Sequence, residues 1–263
     1  MRYKITLSYD GAQFNGWQVQ PDAPSVQGSL EKALSTLLRS DITVTGAGRT
    51  DTGVNALAYV AHFDSEAPAG DDFCAQLSYK LNAILPRSIA VLSVEPADDD
   101  FHARFGATRR EYTYFLHRVK DPFVDRYSYF FTFPLDFDAM NEAASLLVGT
   151  HDFSCFEKLG ADNRTSVCTV FGARWEKYTP TLCATKSPEG EYWVFRISAN
   201  RFLRNMVRAV VGTLLDVGRG RRTVAQFAEL IDPGEVSGTG KVPRNLAGES
   251  VPGNALFLSG ITY

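Results

Sequence analysis

Residues 46–63 read GAGRTDTGVNALAYVAHF, a glycine-rich turn that runs directly into an apolar strand. Three glycines within residues 46–53 mark a tight turn where backbone must approach something closely. Arg49 and Asp51 stand two apart inside it, and in an extended chain both would face the same side. The spacing alone fits an Arg–Asp pair bracing the turn as well as it fits a functional carboxylate. Two other chemistries compete for this string. Gly46, Gly48 and Gly53 do not form GxGxxG, and no Gly-Lys-Ser/Thr follows, which removes a phosphate-cradling loop. Asp51-Thr52-Gly53 matches the aspartic-protease tripeptide, but that chemistry needs two carboxylates sharing one proton. The chain has no second Asp-Thr/Ser-Gly, and an arginine two residues before the acid favours its ionised form.

Working outward, residues 56–63 predict a strand, and upstream Tyr3, Ile5, Leu7 and Tyr9 alternate as in a half-buried strand. Val26, Leu30, Leu34, Leu37 and Leu38 predict a helix over 25–39 with Ser25 as its N-cap. Downstream, a helix is expected over 72–85, stopped by Pro86, then strands at 89–95 and 108–118. The second half repeats the flavour. A helix is expected over 137–148 with Gly149 as its C′ residue. Strands follow near 165–175 and 191–199, then an apolar helix over 201–216, a short helix capped by Thr223 and Gln226, and a closing strand. Two helices interleaved with strands in each half predict an α+β fold: two ferredoxin-like halves joined through a mainly antiparallel central sheet flanked by helices. The halves are expected to span 1–105 and 106–263.

Hydrophobic residues make up 44% of 263 positions, enough to bury a core in one large or two small domains. The opening MRYKITLSYD has no apolar signal region, and no apolar run nears the ~20 residues of a membrane helix. Cys74, Cys155, Cys168 and Cys183 form no CxxC, and the histidines show no ligand spacing with them, so no metal site and a cytoplasmic chain with reduced thiols are expected. A net charge of −3 runs against nucleic-acid binding, but its distribution does not. Residues 101–120 carry Arg104, Arg109, Arg110, Arg118 and Lys120 against Glu111, and residues 200–222 carry six arginines against Asp216. Two such segments fit a confined anionic ligand path, and equally two solvated faces.

AGRTDTGVNALAYVAHF (47–63) resembles the AGRTDAGVHA motif of the TruA family of pseudouridine synthases. So do YDGAQFNGWQVQP (9–21), SVQGSLEKAL (25–34), LNAILP (81–86), DDFHARF (99–105), REYTYFL (110–116), GTHDFSCF (149–156) and NRFLRNMVRAVVGTLLDVG (200–218). These strings cover nearly the whole chain in the family's order. The chain departs from the pattern at Thr52, at Asn55 where a histidine is common, at Cys168, and over 251–256, so Leu256 is not carried over as a base contact.

The resemblance implies isomerisation of uridine to pseudouridine at positions 38, 39 and 40 in the anticodon stem-loop of tRNA, by a cytoplasmic homodimer without a cofactor. Asp51 matches the family's nucleophile and Arg208 the arginine that pairs with it. On a helix over 201–216, Arg201, Arg204 and Arg208 would fall within a ~60° arc, at ~100° per residue. Tyr112 matches the tyrosine that stacks on the target uracil, and is a candidate relay for the C5 proton. Arg49 matches the base-flipping arginine. Phe101, His102 and Arg104, with Asn163, Arg164 and Thr165, match segments that lie against tRNA. The alternative from another class is a non-catalytic tRNA-binding protein on the same scaffold.

Overall fold

β1 (Arg2–Tyr9) buries Tyr3, Ile5, Leu7 and Tyr9 and turns the residues between them outward, the period of two carried by the sequence. The computed structural model describes residues 1–66, 70–158, 160, 165–184, 191–231 and 243–263. After β1 come α1 (Val26–Leu38), β2 (Val44–Gly46), β3 (Asn55–Asp64), α2 (Asp71–Ile84) and β4 (Ile89–Ala97). Then follow β5 (Arg109–His117), β6 (Tyr129–Phe130), α3 (Phe137–Ser145), β7 (Gly149–Asp152) and β8 (Val167–Lys177). β9 (Tyr192–Ala199), α4 (Met206–Gly218), α5 (Val224–Ala228) and β10 (Leu256–Thr262) complete the described elements. The chain forms two compact units, Met1–Thr108 with Phe257–Tyr263, and Arg109–Leu256. The last strand is grouped with the first unit because Phe257 and Leu258 pair in parallel with Asn55 and Ala56 of β3, whereas the expected boundary at 105/106 left it with the second.

The first unit runs β-α-β-β-α-β. β1 lies antiparallel between β4 and β3, and β2 pairs antiparallel with β3 at Phe63, so the order β4-β1-β3-β2 is ferredoxin-like. α1 starts where the Ser25 hydroxyl accepts from the Gly28 N–H at 3.1 Å. α2 stops at Leu85, whose extended backbone suits a residue before proline. Between helix and sheet, Tyr3 stacks on Phe63 with ring centroids 5.3 Å apart and meets Phe73 of α2 at 5.8 Å.

In the second unit β5, β9, β8 and β7 are antiparallel neighbours in that order, and β6 adds a short parallel pair to β5. The α+β class with ferredoxin-like, mainly antiparallel sheets is therefore what the chain adopts. α4 is buried on nearly every side, as a helix apolar all round must be. Thr223 and Gln226 form the expected capping box on α5.

Two helix boundaries differ from expectation. α3 ends at Ser145, because the N–H groups of Leu146, Leu147 and Val148 tighten onto carbonyls three residues back. Gly149, with φ +122°, opens β7 and is not a helix cap. α4 begins at Met206, five residues later than expected, because Asn205 sits in the left-handed region at φ +65° and cannot continue a right-handed helix. Arg201 and Arg204 are therefore not helical, and the arc shared with Arg208 does not exist.

Gly212 lies where the Glu249 carbonyl oxygen rests on α4, and a Cβ there would collide with that oxygen. Gly212→Ala should cost about 1–3 kcal/mol of stability, the usual range for overpacking a tight contact. Thermal unfolding reads this directly. An unchanged Tm would mean the 249 segment is not pressed against the helix.

Candidate active site

β2 leaves the sheet at Gly46, and residues 47–54 carry the chain to β3. The Ala47 N–H donates to the Val60 carbonyl at 2.9 Å, and the Tyr59 hydroxyl donates to the Gly48 carbonyl. Thr50 is held twice: its hydroxyl bonds that of Tyr9 at 2.9 Å, and its carbonyl accepts from the Trp17 N–H at 3.2 Å. Gly16 faces that carbonyl with φ +89°, and a Cβ there would collide with it. The Val54 N–H closes the turn on the Asp51 carbonyl at 3.1 Å. Asn55 is buried, and its Oδ1 accepts from the Gly11 N–H at 2.8 Å, tying the end of the turn to the loop after β1. The Trp17 ring stacks on Tyr59 at 4.0 Å beneath these contacts. Backbone, hydroxyl and ring contacts thus brace the turn. Asp51 is half-buried and Arg49 is exposed beside it.

A second feature of the same unit is the turn after β4. Arg2 Nη1 donates to the carbonyls of Asp99 at 2.7 Å and Phe101 at 3.0 Å. The buried His62 accepts from the Ala103 N–H through Nδ1 at 3.1 Å, and the Tyr263 hydroxyl donates to the Ala103 carbonyl at 2.8 Å. Burial, with the neighbouring Arg2 and His102, pushes His62 down to about 4. Of the residues expected to face a ligand, Phe101 is half-buried with its ring 4.9 Å from that of Tyr263. His102 Nδ1 accepts from the N–H groups of Arg104 and Phe105 at 3.1 and 3.2 Å, capping its own turn. Arg104 is exposed, its guanidinium 5.6 Å from the Phe105 ring, and Phe105 is 78% exposed. The sequence reading missed Phe105. Its signal was an aromatic placed directly after a basic residue at the end of an otherwise packed motif.

In the second unit Tyr112 is half-buried on β5 and meets the Phe202 ring edge-on at 5.1 Å. Tyr114, on the same strand face, is fully buried and donates to the Pro252 carbonyl at 3.1 Å. Burial raises Tyr114 well above the usual phenol range, and the nearby Arg208 charge opposes that rise. Arg208 stands in the first turn of α4, with Nε donating to the Val251 carbonyl at 2.7 Å. Arg110 Nη1 donates to the Asn200 carbonyl at 2.7 Å. The Thr165 hydroxyl accepts from the Val167 N–H at 3.1 Å, a local cap at the start of β8, while Asn163 and Arg164 lie outside the described residues. Cys168 is buried, and burial pushes its thiol up to about 11. Asp51, Arg49, Phe101, His102 and Arg104 belong to the first unit, and Tyr112, Thr165 and Arg208 to the second.

Among the described residues no group of three or more His, Cys, Asp or Glu could hold a metal ion. No described helix is long and apolar enough to cross a membrane. The first unit presents a half-buried carboxylate on a braced turn, and the second presents a half-buried tyrosine and a guanidinium engaged at its Nε.

The profile of one family, described as tRNA pseudouridine synthase, matches residues 5–106 and 143–263. The tRNA pseudouridine synthase A of Parabacteroides distasonis is 47% identical over 262 residues, covering 100% of this chain and 96% of that protein. The enzyme of the same name from Bacteroides fragilis is 47% identical over 263 residues, with the same coverage. That of Bacillus subtilis is 41% identical over 267 residues, covering 100% and 99%.

The His62 imidazole accepts in its neutral form, so acid acts on it through the unfolded state. Its folded value of about 4 lies below the ordinary 6.5, so unfolded chains take up the proton first as pH falls. The stability it contributes is complete above pH 6.5 and is lost progressively toward pH 4. His62→Asn, whose amide oxygen accepts without titrating, should flatten that part of the curve in urea melts. A slope equal to that of the parent protein would remove His62 from the acid response.

Proposed function

The chain belongs to the tRNA pseudouridine synthase family, and on that premise we propose that Asp51 is the carboxylate with which it acts, at uridines 38, 39 and 40 in the anticodon stem-loop of tRNA. It is an isomerase that converts uridine in tRNA to pseudouridine. The N1–C1′ bond breaks, the uracil turns, and C5 bonds to C1′. C5 gives up its proton and N1 gains one, so nothing is oxidised or hydrolysed.

The observation that carries the assignment is Asp51 itself: a half-buried carboxylate on a turn whose backbone is held by other groups. A nucleophilic carboxylate calls for a cationic partner, and Arg208, which matches the family's arginine for this acid, is our candidate for that part. Tyr112 offers its ring to the extruded uracil, and its hydroxyl is our candidate for relaying the C5 proton. Flipping the base out of a stem costs a few kcal/mol of stacking and pairing. Arg49, exposed on the same turn, recovers part of that by filling the vacated place with a planar cation. Arg104, Phe105 and Thr165 are candidate tRNA contacts, as are Asn163 and Arg164 by their match to the family's segment, while Phe101 and His102 shape the turn that carries Arg104. In this reading the half up to residue 105 carries the nucleophile and the half from 106 carries Tyr112 and Arg208. Three adjacent positions in varied sequences call for contacts to backbone and shape more than to base edges. A cytoplasmic homodimer sharing each tRNA would supply the basic area that one chain of net charge −3 has in short supply.

Asp51→Asn should abolish tritium release from C5-labelled uridine in tRNA while tRNA binding persists. Normal turnover in that variant would end the proposal, and binding by the parent protein without any conversion would favour a non-catalytic tRNA-binding protein. Tyr112→Phe should keep substrate stacking, whereas Tyr112→Ala should lose about 1–3 kcal/mol of it, roughly 5- to 150-fold in kcat/KM. Equal kcat/KM in Tyr112→Ala and the parent would remove the tyrosine from the site. Affinity for tRNA should also fall steeply as salt rises, and a flat response would count against phosphate contact.

A further inference from the structure

In the second unit two side chains converge on one hydroxyl. Ser250 Oγ accepts from Asn205 Nδ2 at 2.6 Å and from Arg244 Nη2 at 3.0 Å. Arg244 Nη1 also donates to the Gly248 carbonyl at 3.1 Å, and the Gly248 N–H donates to Thr213 Oγ1 at 2.9 Å. With Glu249 seated on Gly212, residues 248 and 249 are fastened to α4, and Ser250 to the residue that precedes it. Val251, the next residue, exchanges two hydrogen bonds with Arg208. Its carbonyl takes the Arg208 Nε–H at 2.7 Å, and its N–H donates to the Arg208 carbonyl at 3.3 Å. The carbonyl that orients the guanidinium is therefore itself held in place by the residue before it.

Asn205 is unusual in two ways. It precedes α4 in the left-handed region at φ +65°, and its side chain makes no cap bond to the helix. The amide reaches sideways to Ser250 instead. A left-handed residue ahead of a helix is tolerated by glycine or asparagine, and only asparagine brings an amide donor to this place.

We infer that Asn205 and Ser250 are positioning residues for the reaction, setting the plane of the Arg208 guanidinium through the Val251 carbonyl. The inference rests on the reading of Arg208 as the cationic support of Asp51. A guanidinium makes strong charge-assisted contacts only when its fork is aimed, and small misplacements in a catalytic constellation cost large factors in rate.

Asn205→Gly tests this cleanly, because glycine keeps the left-handed backbone without steric cost while the amide is lost. kcat on tRNA should fall about 10-fold or more, with KM changed less than about two-fold and Tm little altered. Ser250→Ala should do the same, and the double variant should be no worse than either single one, as expected of residues acting through one link. An independent readout is the Arg208 Nε–H resonance in nitrogen-15 spectra, assigned by its loss in Arg208→Lys. It should shift and exchange faster with water in both variants. An unchanged Nε–H resonance in both would overturn the inference, whatever the activity. A shifted resonance with parental kcat would show that the two residues orient Arg208 while Arg208 has no part in the reaction. The failure would then lie in the role assigned to the arginine, and the claim that these residues serve catalysis would fall with it.

Discussion

The turn of residues 47–54 is held through its own backbone and by the side chains of Tyr9 and Tyr59 and the N–H of Trp17. The Thr50 carbonyl is gripped by the Trp17 N–H, its hydroxyl by Tyr9, and the residue opposite is a glycine because nothing larger fits. Each neutral hydrogen bond of this sort contributes only about 0.5–1.5 kcal/mol net. Their joint effect is geometric: the peptide leading into Asp51 has its direction set from three sides. Preorganisation of this kind lowers the reorganisation needed as charge develops during reaction.

A similar use of main-chain contacts recurs elsewhere in the chain. The turn after β4 is held by Arg2, His62 and Tyr263 acting on main-chain atoms, and the exposed Phe105 ring lies 4.4 Å from that of His102. His62 suits that work because burial keeps it neutral and its Nδ1 available as an acceptor. Arg208 is likewise engaged at the main chain, with its Nε donating to the Val251 carbonyl.

Much of this was legible in the sequence, and the reasons differ by residue. The alternation of Tyr3, Ile5, Leu7 and Tyr9 reported β1 because a half-buried strand leaves a period of two. Ser25 and the Thr223–Gln226 pair reported helix starts because caps are local chemistry. The start of α4 was misread because apolar spacing continued through Phe202 and Leu203 while one backbone torsion, at Asn205, decided the boundary. β2, β6 and β7 were missed since two to four residues carry no period, and the company of β10 depends on a pairing across some two hundred residues. The candidate site followed the same division. Of the glycines around Asp51, Gly46 does meet a close approach, since a Cβ there would collide with the Tyr59 hydroxyl and the Trp17 ring, whereas Gly48 faces open space and the glycine at the Thr50 carbonyl is Gly16. Which of Phe101, His102, Arg104 and Phe105 faces outward was set by hydrogen bonds from Arg2, His62 and Tyr263, residues remote in the sequence.

Asn55 occupies a position where the family pattern favours histidine, and its amide oxygen joins the end of the 47–54 turn to the Gly11 N–H. An imidazole nitrogen in that role would surrender its lone pair on protonation. An amide oxygen has no such equilibrium in the range where cells live. The joint between this turn and the loop after β1 is thus indifferent to acidity.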